Sequence, residues 1–241
     1  KDLLVFKENK IDAIIHFAGY KDVEESMINT KKYSENITGT INLLDYMTKY
    51  HIKKIIYSSS AAVYGLPKTL PINEDAQIDI INYYAYTKIC CEDLIKWYSN
   101  NHNINYVNLR YFNVIGDAGL SYIDSNAKNV MIELMKTIFN QNKEFKIFGN
   151  NYETRDGTPV RDFIHLIDIV DAHIKSLNID TNEIINLGSQ KGTTIKELIE
   201  KTQEIINKKI NHVYDKKRIG DIPISIASNS KAKEILNWEP K

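Results

Sequence analysis

Short apolar runs alternate with longer stretches of mixed polarity along most of the chain. The runs are rich in Ile, Val, Tyr and Phe and predict β-strands; they cover residues 11–17, 52–58, 104–112, 144–148, 160–165 and 183–187. In the longer stretches apolar residues recur at steps of three and four, which predicts helices; these cover about residues 33–49, 83–100, 127–140, 167–177 and 194–206. The alternation predicts right-handed βαβ units and an α/β fold with a parallel sheet.

Three local features refine this fold. The early strands are apolar throughout, which is typical of a sheet covered on both faces. Thr194 is followed three residues later by Glu197, the pattern of a helix N-cap with an acid at N3. After Asn113 the pattern is less regular and indicates a smaller, mixed α/β lobe. We therefore expect a first domain over residues 1–113 and a second lobe over residues 114–241, with elements at about 160–190 returning to the first domain.

One feature of a Rossmann-like, doubly wound sheet is missing from the pattern. Such a sheet normally opens with a glycine-rich turn, followed by an acid about 20 residues later. The ten glycines form no G-x-G-x-x-G motif. If the fold is Rossmann-like, we expect its first βαβ half to precede Lys1.

Composition narrows the class of protein. The 241 residues include 31 basic and 31 acidic side chains, so binding of nucleic acid through a strong basic excess is disfavoured. Hydrophobic residues make up 43% of the chain, which supports a packed core. No run approaches the roughly 20 apolar residues of a membrane span. The two cysteines, Cys90 and Cys91, are adjacent, which argues against a disulfide framework and favours a reducing, cytoplasmic location.

The sharpest candidate for chemistry is the pair Tyr84 and Lys88. The two residues lie four apart at the start of a predicted helix and share one face. A tyrosine normally titrates at about 10, and an ammonium group beside the phenol favours the phenolate, so we expect Lys88 to lower the pKa of Tyr84 towards a usable base. The spacing by itself favours an exposed pair on a helix surface.

Two strand ends favour the catalytic interpretation. The strand at 52–58 runs into Ser58, Ser59 and Ser60, and in open α/β sheets ligands bind at the carboxyl ends of the strands. These hydroxyl groups could bond a sugar, a ribose or a phosphate, although a serine-rich turn can also satisfy its own backbone. One strand earlier, Ala18 and Gly19 would let the backbone approach a nucleotide closely.

These segments, in this order, resemble the extended short-chain dehydrogenase/reductase superfamily and, within it, the UDP-glucose (UDP-galactose) 4-epimerases. The resemblance spans nearly the whole chain. It is carried by HFAGYKDVEES (16–26), ENITGTINLL (35–44), SSSAAVYG (58–65), YAYTK (84–88), LRYFNVIG (109–116), KIFGNNYETRDGTPVRDFIHLIDIVDAH (146–173), INLGSQKG (185–192), RIGDIP (218–223) and ILNWEP (235–240). It implies that the family's glycine motif, its ribose-binding acid and about its last helix lie outside this sequence.

The resemblance also implies roles for individual residues. Tyr84 would be the catalytic base and acid, Lys88 would hold the nicotinamide ribose and tune Tyr84, and Ser60 would contact the reacting oxygen of the sugar. The implied NAD-binding residues are Phe17, Ala18, Gly19, Lys21, Asn36, Ser58, Tyr84, Lys88 and Phe112. The implied residues of the UDP-sugar site are Ser60, Asn113, Asn129, Val130, Ile147, Phe148, Arg161, Arg218, Asp221 and Ser225. We expect no metal site, although the run 162–173 is rich in Asp and His.

The segment after the serines selects among the reactions of the superfamily. Related dehydratases carry an Asp-Glu pair there and related decarboxylases a Glu, whereas this chain has Ala61 and Ala62. The resemblance therefore implies transient oxidation at C4 by NAD, which interconverts UDP-glucose and UDP-galactose. In family members that carry a tyrosine at the position of Ser225, the bulky ring goes with exclusion of acetylated sugars. The serine here implies that UDP-GlcNAc and UDP-GalNAc also fit.

Two other functions stay open at this point. The chain could be another NAD-dependent nucleotide-sugar epimerase or reductase, or an inactive, truncated UDP-sugar binder. The resemblance further implies a homodimer formed through the helices at about 33–49 and 83–100.

Overall fold

The computed structural model describes residue 6 and residues 10–120, 129–141, 143–218 and 220–241. The strands are β1 (Ile14–His16), β2 (Lys54–Ser60), β3 (Asn105–Tyr111), β4 (Asn113–Ile115), β5 (Phe145–Phe148), β6 (Val160–His165), β7 (Glu183–Leu187), β8 (Gly192–Thr194), β9 (His212–Asp215) and β10 (Ile224–Ser225). The helices are α1 (Val23–Ile28), α2 (Thr30–Lys49), α3 (Tyr83–His102), α4 (Val130–Ile138), α5 (Leu166–Ser176), α6 (Ile195–Ile206) and α7 (Ser230–Leu236), with a 3₁₀ helix at Ala61–Tyr64.

A four-stranded parallel sheet in the order β1-β2-β3-β7 forms the larger part of the structure. In its register Ser60 lies opposite Tyr111, and Tyr111 lies opposite Leu187, so the carboxyl ends of three strands meet at one edge. Because the strands are parallel, side chains that follow them are brought together at this edge. The α/β class and the Rossmann-like parallel sheet predicted from the sequence are confirmed.

Helices cover both faces of this sheet, as the apolar strands predicted. On one face, Leu44 and Met47 of α2 and Ile95 of α3 pack with Ile55 of β2. On the other face, α5 and the chain after α7 pack with β3 and β7, and fully buried Trp238 donates its indole N–H to the Asp168 carbonyl (2.8 Å). Coverage is incomplete at β1, the edge strand of the described sheet, where Ile15 remains 38% exposed.

The remaining elements form smaller sheets beside the large one. Strand β6 is parallel to β4 and β10 and antiparallel to β8, while β5 pairs with β9. An apolar cluster under β5 joins α4 and α6 through Leu134, Phe145, Ile147 and Ile199. The capping box of Thr194 and Glu197 predicted at the start of α6 is present. Strand β7 pairs with β3, so the chain returns to the large sheet after building β5 and β6.

Short elements escaped the sequence prediction. Helix α1, the 3₁₀ helix and strands β4, β8, β9 and β10 each span only a few residues, too few for a periodic pattern to develop. Within the part of the chain that the structure describes, no helix combines the length and apolar character required to cross a membrane.

Candidate active site

Tyr84 lies in the first turn of α3, at the edge where the strands end. Asn82 caps this helix by accepting a hydrogen bond from Ala85 N (2.8 Å), and the Ser26 hydroxyl accepts one from Tyr84 N (3.0 Å). These two bonds fix the position of the first turn, because helix N-termini otherwise leave their N–H groups unsatisfied. The Tyr84 side chain is buried and its phenol hydrogen bonds with the Ser60 hydroxyl.

Lys88 lies one turn further along α3 and points at the end of β2. Its Nζ donates to the Ser58 carbonyl (2.6 Å) and lies over the rings of Tyr57 (4.9 Å) and Tyr84 (5.7 Å). The side chain is only 5% exposed, and this burial lowers the pKa of Lys88 to about 8. The structure therefore brings Tyr84, Lys88 and the serine cluster together.

The expected direction of the Tyr84 pKa is wrong for this structure. Burial raises the pKa of Tyr84, and the opposing effect comes from the hydrogen bond of Ser60. The Lys88 ammonium lies 5.7 Å from the centroid of the phenol ring and donates to the Ser58 carbonyl. Removing a group from water favours its neutral form, and here this effect exceeds the opposing effect of the Ser60 hydrogen bond.

Small residues shape the space in front of Ser60. The chain leaves β2 in an extended conformation at Ser60, whose hydroxyl accepts a hydrogen bond from Ala62 N (3.2 Å) as the 3₁₀ helix begins. The two positions that follow are Ala61 and Ala62, so no carboxylate stands directly after the serines. The site therefore offers a phenol, a hydroxyl and an ammonium group, but no acid at this point.

A buried ion pair behind the site was not predicted from the sequence. Glu92, one turn beyond Lys88 on α3, accepts two hydrogen bonds from Arg110 of β3 (3.0 and 2.6 Å) and one from the Ser59 hydroxyl. Both charged side chains are 3% exposed. This network joins α3 to the ends of β2 and β3. The sequence offered one indication of it, a charged residue within each of two buried elements, Glu92 in α3 and Arg110 in β3.

The loop after β1 is held by Asn36 of α2. Its Oδ1 accepts from Tyr20 N (2.8 Å), and its Nδ2 donates to the Tyr20 carbonyl (3.0 Å) and to Thr87 Oγ1 (3.3 Å). A Cβ at Gly19 would lie 3.1 Å from Asn36 Oδ1, so the loop passes too close for a larger residue to fit without displacement. Asn36 therefore positions Ala18 and Gly19, while Lys21 follows on the exposed side of the loop.

Aromatic groups and a neutral histidine lie beside this loop. The Phe17 ring is 56% exposed, and its centroid lies 4.6 Å from that of the His173 ring, with the two planes tilted by 32°. His173 Nδ1 donates to the Ile169 carbonyl (2.8 Å), which leaves Nε2 to accept from the Tyr111 hydroxyl (2.6 Å). Burial lowers the pKa of His173 and, together with nearby Lys88, lowers the pKa of His16 to about 4. Both imidazoles are therefore neutral at neutral pH.

A second cluster of candidate residues lies around β6 and the chain before β10. Arg161 forms an ion pair with Asp221 and donates from its Nη1 to the Val160 carbonyl (2.9 Å). The Arg218 guanidinium lies 3.8 Å from the Phe148 ring centroid, a cation–π contact. Ser225 of β10 lies opposite Arg161 in the strand register. Four of the residues expected to bind UDP thus form two contacting pairs, Arg161 with Asp221 and Arg218 with Phe148.

Four residues expected to contact NAD or UDP instead have side chains that pack in the core or cap a helix. Ile147 is fully buried in the cluster under β5, and Phe112 is 7% exposed in a cluster with Val63. Asn129 caps α4 by accepting from Ile132 N (3.0 Å), while Val130 packs at the edge of the β5 cluster. These side chains are occupied by packing or by capping a helix.

The ion pair of Arg161 joins two segments that are distant in sequence. Arg161 binds Asp221, which is 60 residues away, rather than neighbouring Asp162. Asp162 is fully buried and accepts hydrogen bonds from Ser189, Gln190 N and Ala227 N. Among the described residues no three His, Cys, Asp or Glu side chains are grouped to hold a metal ion. Asn113, a candidate residue of the UDP-sugar site, is the first residue of β4.

Comparisons with known proteins agree with this geometry. The model of the NAD dependent epimerase/dehydratase family matches residues 4–188. The UDP-glucose 4-epimerase of Lactobacillus helveticus is 37% identical over 245 residues, which cover 98% of this chain and 74% of the relative.

Two solved structures superpose closely. The UDP-glucose 4-epimerase of Bifidobacterium longum in complex with NAD⁺ and UDP has a TM-score of 0.92 at 35% identity, covering 100% of this chain and 75% of that one. The UDP-N-acetylglucosamine 4-epimerase of Methanobrevibacter ruminantium M1, in complex with UDP-N-acetylmuramic acid, has a TM-score of 0.89 at 30% identity, covering 100% and 76%. The chain therefore belongs to the NAD dependent epimerase/dehydratase family.

Proposed function

We propose that this protein is a UDP-hexose 4-epimerase, which interconverts UDP-glucose and UDP-galactose by transient oxidation at C4. The observation that carries the proposal is the contact of the Tyr84 phenol with the Ser60 hydroxyl, beside the buried Lys88 ammonium, at the carboxyl edge of the parallel sheet. A proton acceptor, a hydroxyl to orient the substrate and a cation are the protein groups that oxidation of an alcohol requires. The similarity to UDP-glucose 4-epimerases supports the same reaction.

The described residues fit NAD as the cofactor. The loop at Ala18 and Gly19 lets the backbone approach a planar ligand, and the exposed Phe17 ring offers an apolar surface beside it. The Lys88 ammonium is buried with one carbonyl partner and retains donors for ribose hydroxyls. Bound NAD would supply the acceptor and donor of the hydride that leaves and returns to C4.

The chain's own groups handle the proton. Tyr84 accepts the proton of the 4-hydroxyl as the C4–H bond breaks, which leaves a ketone at C4, and returns the proton when C4 is reduced from the opposite face. The Ser60 hydroxyl holds the reacting oxygen against the phenol. Positive charge nearby favours the phenolate, so Lys88 must be charged for Tyr84 to act as a base. Ala61 and Ala62 offer no carboxylate for elimination.

The nucleotide is anchored on the second lobe. We propose that Arg161 and Arg218 bind the diphosphate, since planar guanidinium groups match phosphate geometry. Asp221 would accept from the uridine ribose, and Phe148 would stack on the uracil. A firmly held nucleotide and a loosely held hexose allow the ketone to present either face to Tyr84.

Conversion of UDP-galactose to UDP-glucose, with and without added NAD, tests the proposal. Tyr84→Phe should lower turnover by orders of magnitude and leave UDP binding intact. Tyr86→Phe is a matched control, because Tyr86 lies on the same helix with a 46% exposed side chain, and it should retain turnover. Near-normal turnover of Tyr84→Phe would overturn the assignment. Net consumption of NADH would favour a reductase, and UDP binding without turnover an inactive binder.

A homodimer is the second part of the proposal. Trp97 of α3 is 67% exposed and Ile28, at the end of α1, is 83% exposed, so the outer surface beside α2 and α3 carries apolar side chains open to contact. We propose that two copies pack through α2 and α3, in a reducing cytoplasm where Cys90 and Cys91 remain free thiols. Trp97→Glu should then lower the mass measured by light scattering to that of a monomer. An unchanged mass would refute this interface.

A further inference from the structure

The ion pair of Glu92 and Arg110 binds two further buried side chains. Glu92 Oε1 accepts from Arg110 Nε (3.0 Å) and also from the Ser59 hydroxyl. Arg110 Nη1 donates to the Tyr64 hydroxyl (2.9 Å). Ser59 and Tyr64 are each 1% exposed, so water does not compete for these bonds. The pair is therefore the centre of a buried network of four side chains.

The two added side chains stand at the two ends of the turn that carries Ser60. Ser59 precedes Ser60 at the end of β2, and Tyr64 is the last residue of the 3₁₀ helix that follows. The Tyr64 hydroxyl in turn donates to Oδ1 of fully buried Asn186 on β7 (2.7 Å). Hydrogen bonds within a short 3₁₀ helix have poor geometry, so the position of the turn depends on the groups that hold its ends.

The same network fixes the end of β2 relative to α3. Tyr84, Lys88 and Glu92 follow one another at steps of four residues, so they lie on one face of the helix. Lys88 donates to the Ser58 carbonyl (2.6 Å), and Glu92 accepts from the Ser59 hydroxyl. Two successive residues of β2 are thus bonded to two successive turns of the helix that carries the Tyr84 phenol.

Stability alone does not account for this network. Taking charged groups out of water is costly, and apolar residues of similar volume often hold a core equally well or better. Leu44, Ile55 and Ile95 already supply apolar packing between α2, β2 and α3. Hydrogen bonds are directional, so a buried polar network instead fixes one arrangement of the elements that it joins. A site built from a strand end and a helix start requires such a fixed arrangement.

We propose that Ser59 and Tyr64 are positioning residues of the active site, which hold the turn of Ser60 in place against the first turn of α3. Both act through the ion pair of Glu92 and Arg110. Their effect reaches the reacting sugar through the position of the Ser60 hydroxyl. The inference rests on the proposed function, since it assumes that Ser60 orients the reacting oxygen.

Ser59→Ala tests this role, because it removes one hydroxyl and leaves the bonds between the two ions in place. The kcat for UDP-galactose should fall about ten- to a hundredfold, since small displacements of a positioning group are costly in an active site. The KM for UDP-galactose and the Kd for UDP should stay unchanged, since the nucleotide is anchored on the second lobe. A purely structural role would lower the unfolding midpoint without this separation of kcat from KM.

Ser99→Ala is the matched control. It also removes a buried hydroxyl, one that accepts from Asn182 Nδ2 (3.0 Å) near the far end of α3. It should leave kcat unchanged even where it lowers the unfolding midpoint as much as Ser59→Ala does. Tyr64→Phe removes the bonds at the other end of the turn and should reproduce the loss of kcat, which provides a second test should Ser59→Ala not fold.

The same change in a Ser60→Ala background identifies the route of the effect. There Ser59→Ala should lower kcat by less than about twofold, since the hydroxyl that it positions is absent. Normal kcat in Ser59→Ala and Tyr64→Phe, or an equal loss in Ser99→Ala, would overturn the inference. So would an equal loss whether or not the Ser60 hydroxyl is present. In each of these cases the wild type still turns over and the proposed function stands, whereas a wild-type protein without turnover would overturn both.

Discussion

Replacing Lys88 with Met should stabilise the protein while it abolishes turnover. The Lys88 side chain is 5% exposed, and within the described residues its Nζ forms no ion pair and donates to the Ser58 carbonyl. Burial lowers the pKa of Lys88 from 10.5 to about 8. Because one pH unit corresponds to about 1.4 kcal/mol, the buried charge costs roughly 3 kcal/mol at neutral pH.

The sign of the pH dependence follows from this pKa. Below pH 8 the folded and unfolded states both bind the proton, so the full cost of the buried charge is present. Between about pH 8 and 10.5 the folded state has lost a proton that the unfolded state retains, so the free energy of unfolding of the wild type rises with pH. Lys88→Met lacks this group and should show no such gain.

Urea denaturation of both proteins at pH 7 and at pH 10 measures the difference. At pH 7 Lys88→Met should be more stable by up to about 3 kcal/mol, reduced by the lost bond to Ser58, and by pH 10 most of this advantage should disappear. Lys31→Met, at an exposed position of α2, is the control and should show no pH-dependent difference. A variant less stable than the wild type at pH 7, or a difference equal at both pH values, would refute the reasoning.

Three further predictions concern the surroundings of the site. Glu92→Gln should lower the free energy of unfolding by about 3–5 kcal/mol, since it leaves a buried guanidinium unpaired; urea denaturation should show no comparable loss for Glu204→Gln, whose ion pair is exposed. Ser225→Tyr should abolish turnover of UDP-GlcNAc but spare UDP-galactose, and equal activity on both sugars would refute a gate at this position. Asn36→Ala should release the loop of Gly19 and weaken NAD retention, measured by cofactor fluorescence; equal retention in Asn36→Ala and in the exposed control Thr38→Ala would contradict this role of Asn36.

The buried charge of Lys88 lowers the stability of the protein at the candidate active site. Natural proteins commonly retain such destabilising groups where function requires them. If Lys88→Met proves more stable than the wild type, the site identified by its contacts would also be identified by its energetic cost.

Local sequence patterns determined the larger elements of this fold. Strands β2, β3 and β7 and helices α2, α3 and α6 lie within three residues of their predicted positions, because apolar periodicity reflects which side of an element faces the core. Tyr84, Lys88 and Ser60 could be identified for a related reason. They lie at a strand end and a helix start, and the topology of a parallel sheet brings such points together.

The electrostatics of the site depend on how the elements pack together. The pairing of Arg161 with Asp221 and the buried contact of Glu92 with Arg110 each join segments that no local period relates. The pKa of Tyr84 rises although a lysine lies one helical turn away, because burial depends on everything that covers the site. Sequence spacing places charges relative to their own element, whereas desolvation and distant partners arise only when the elements pack.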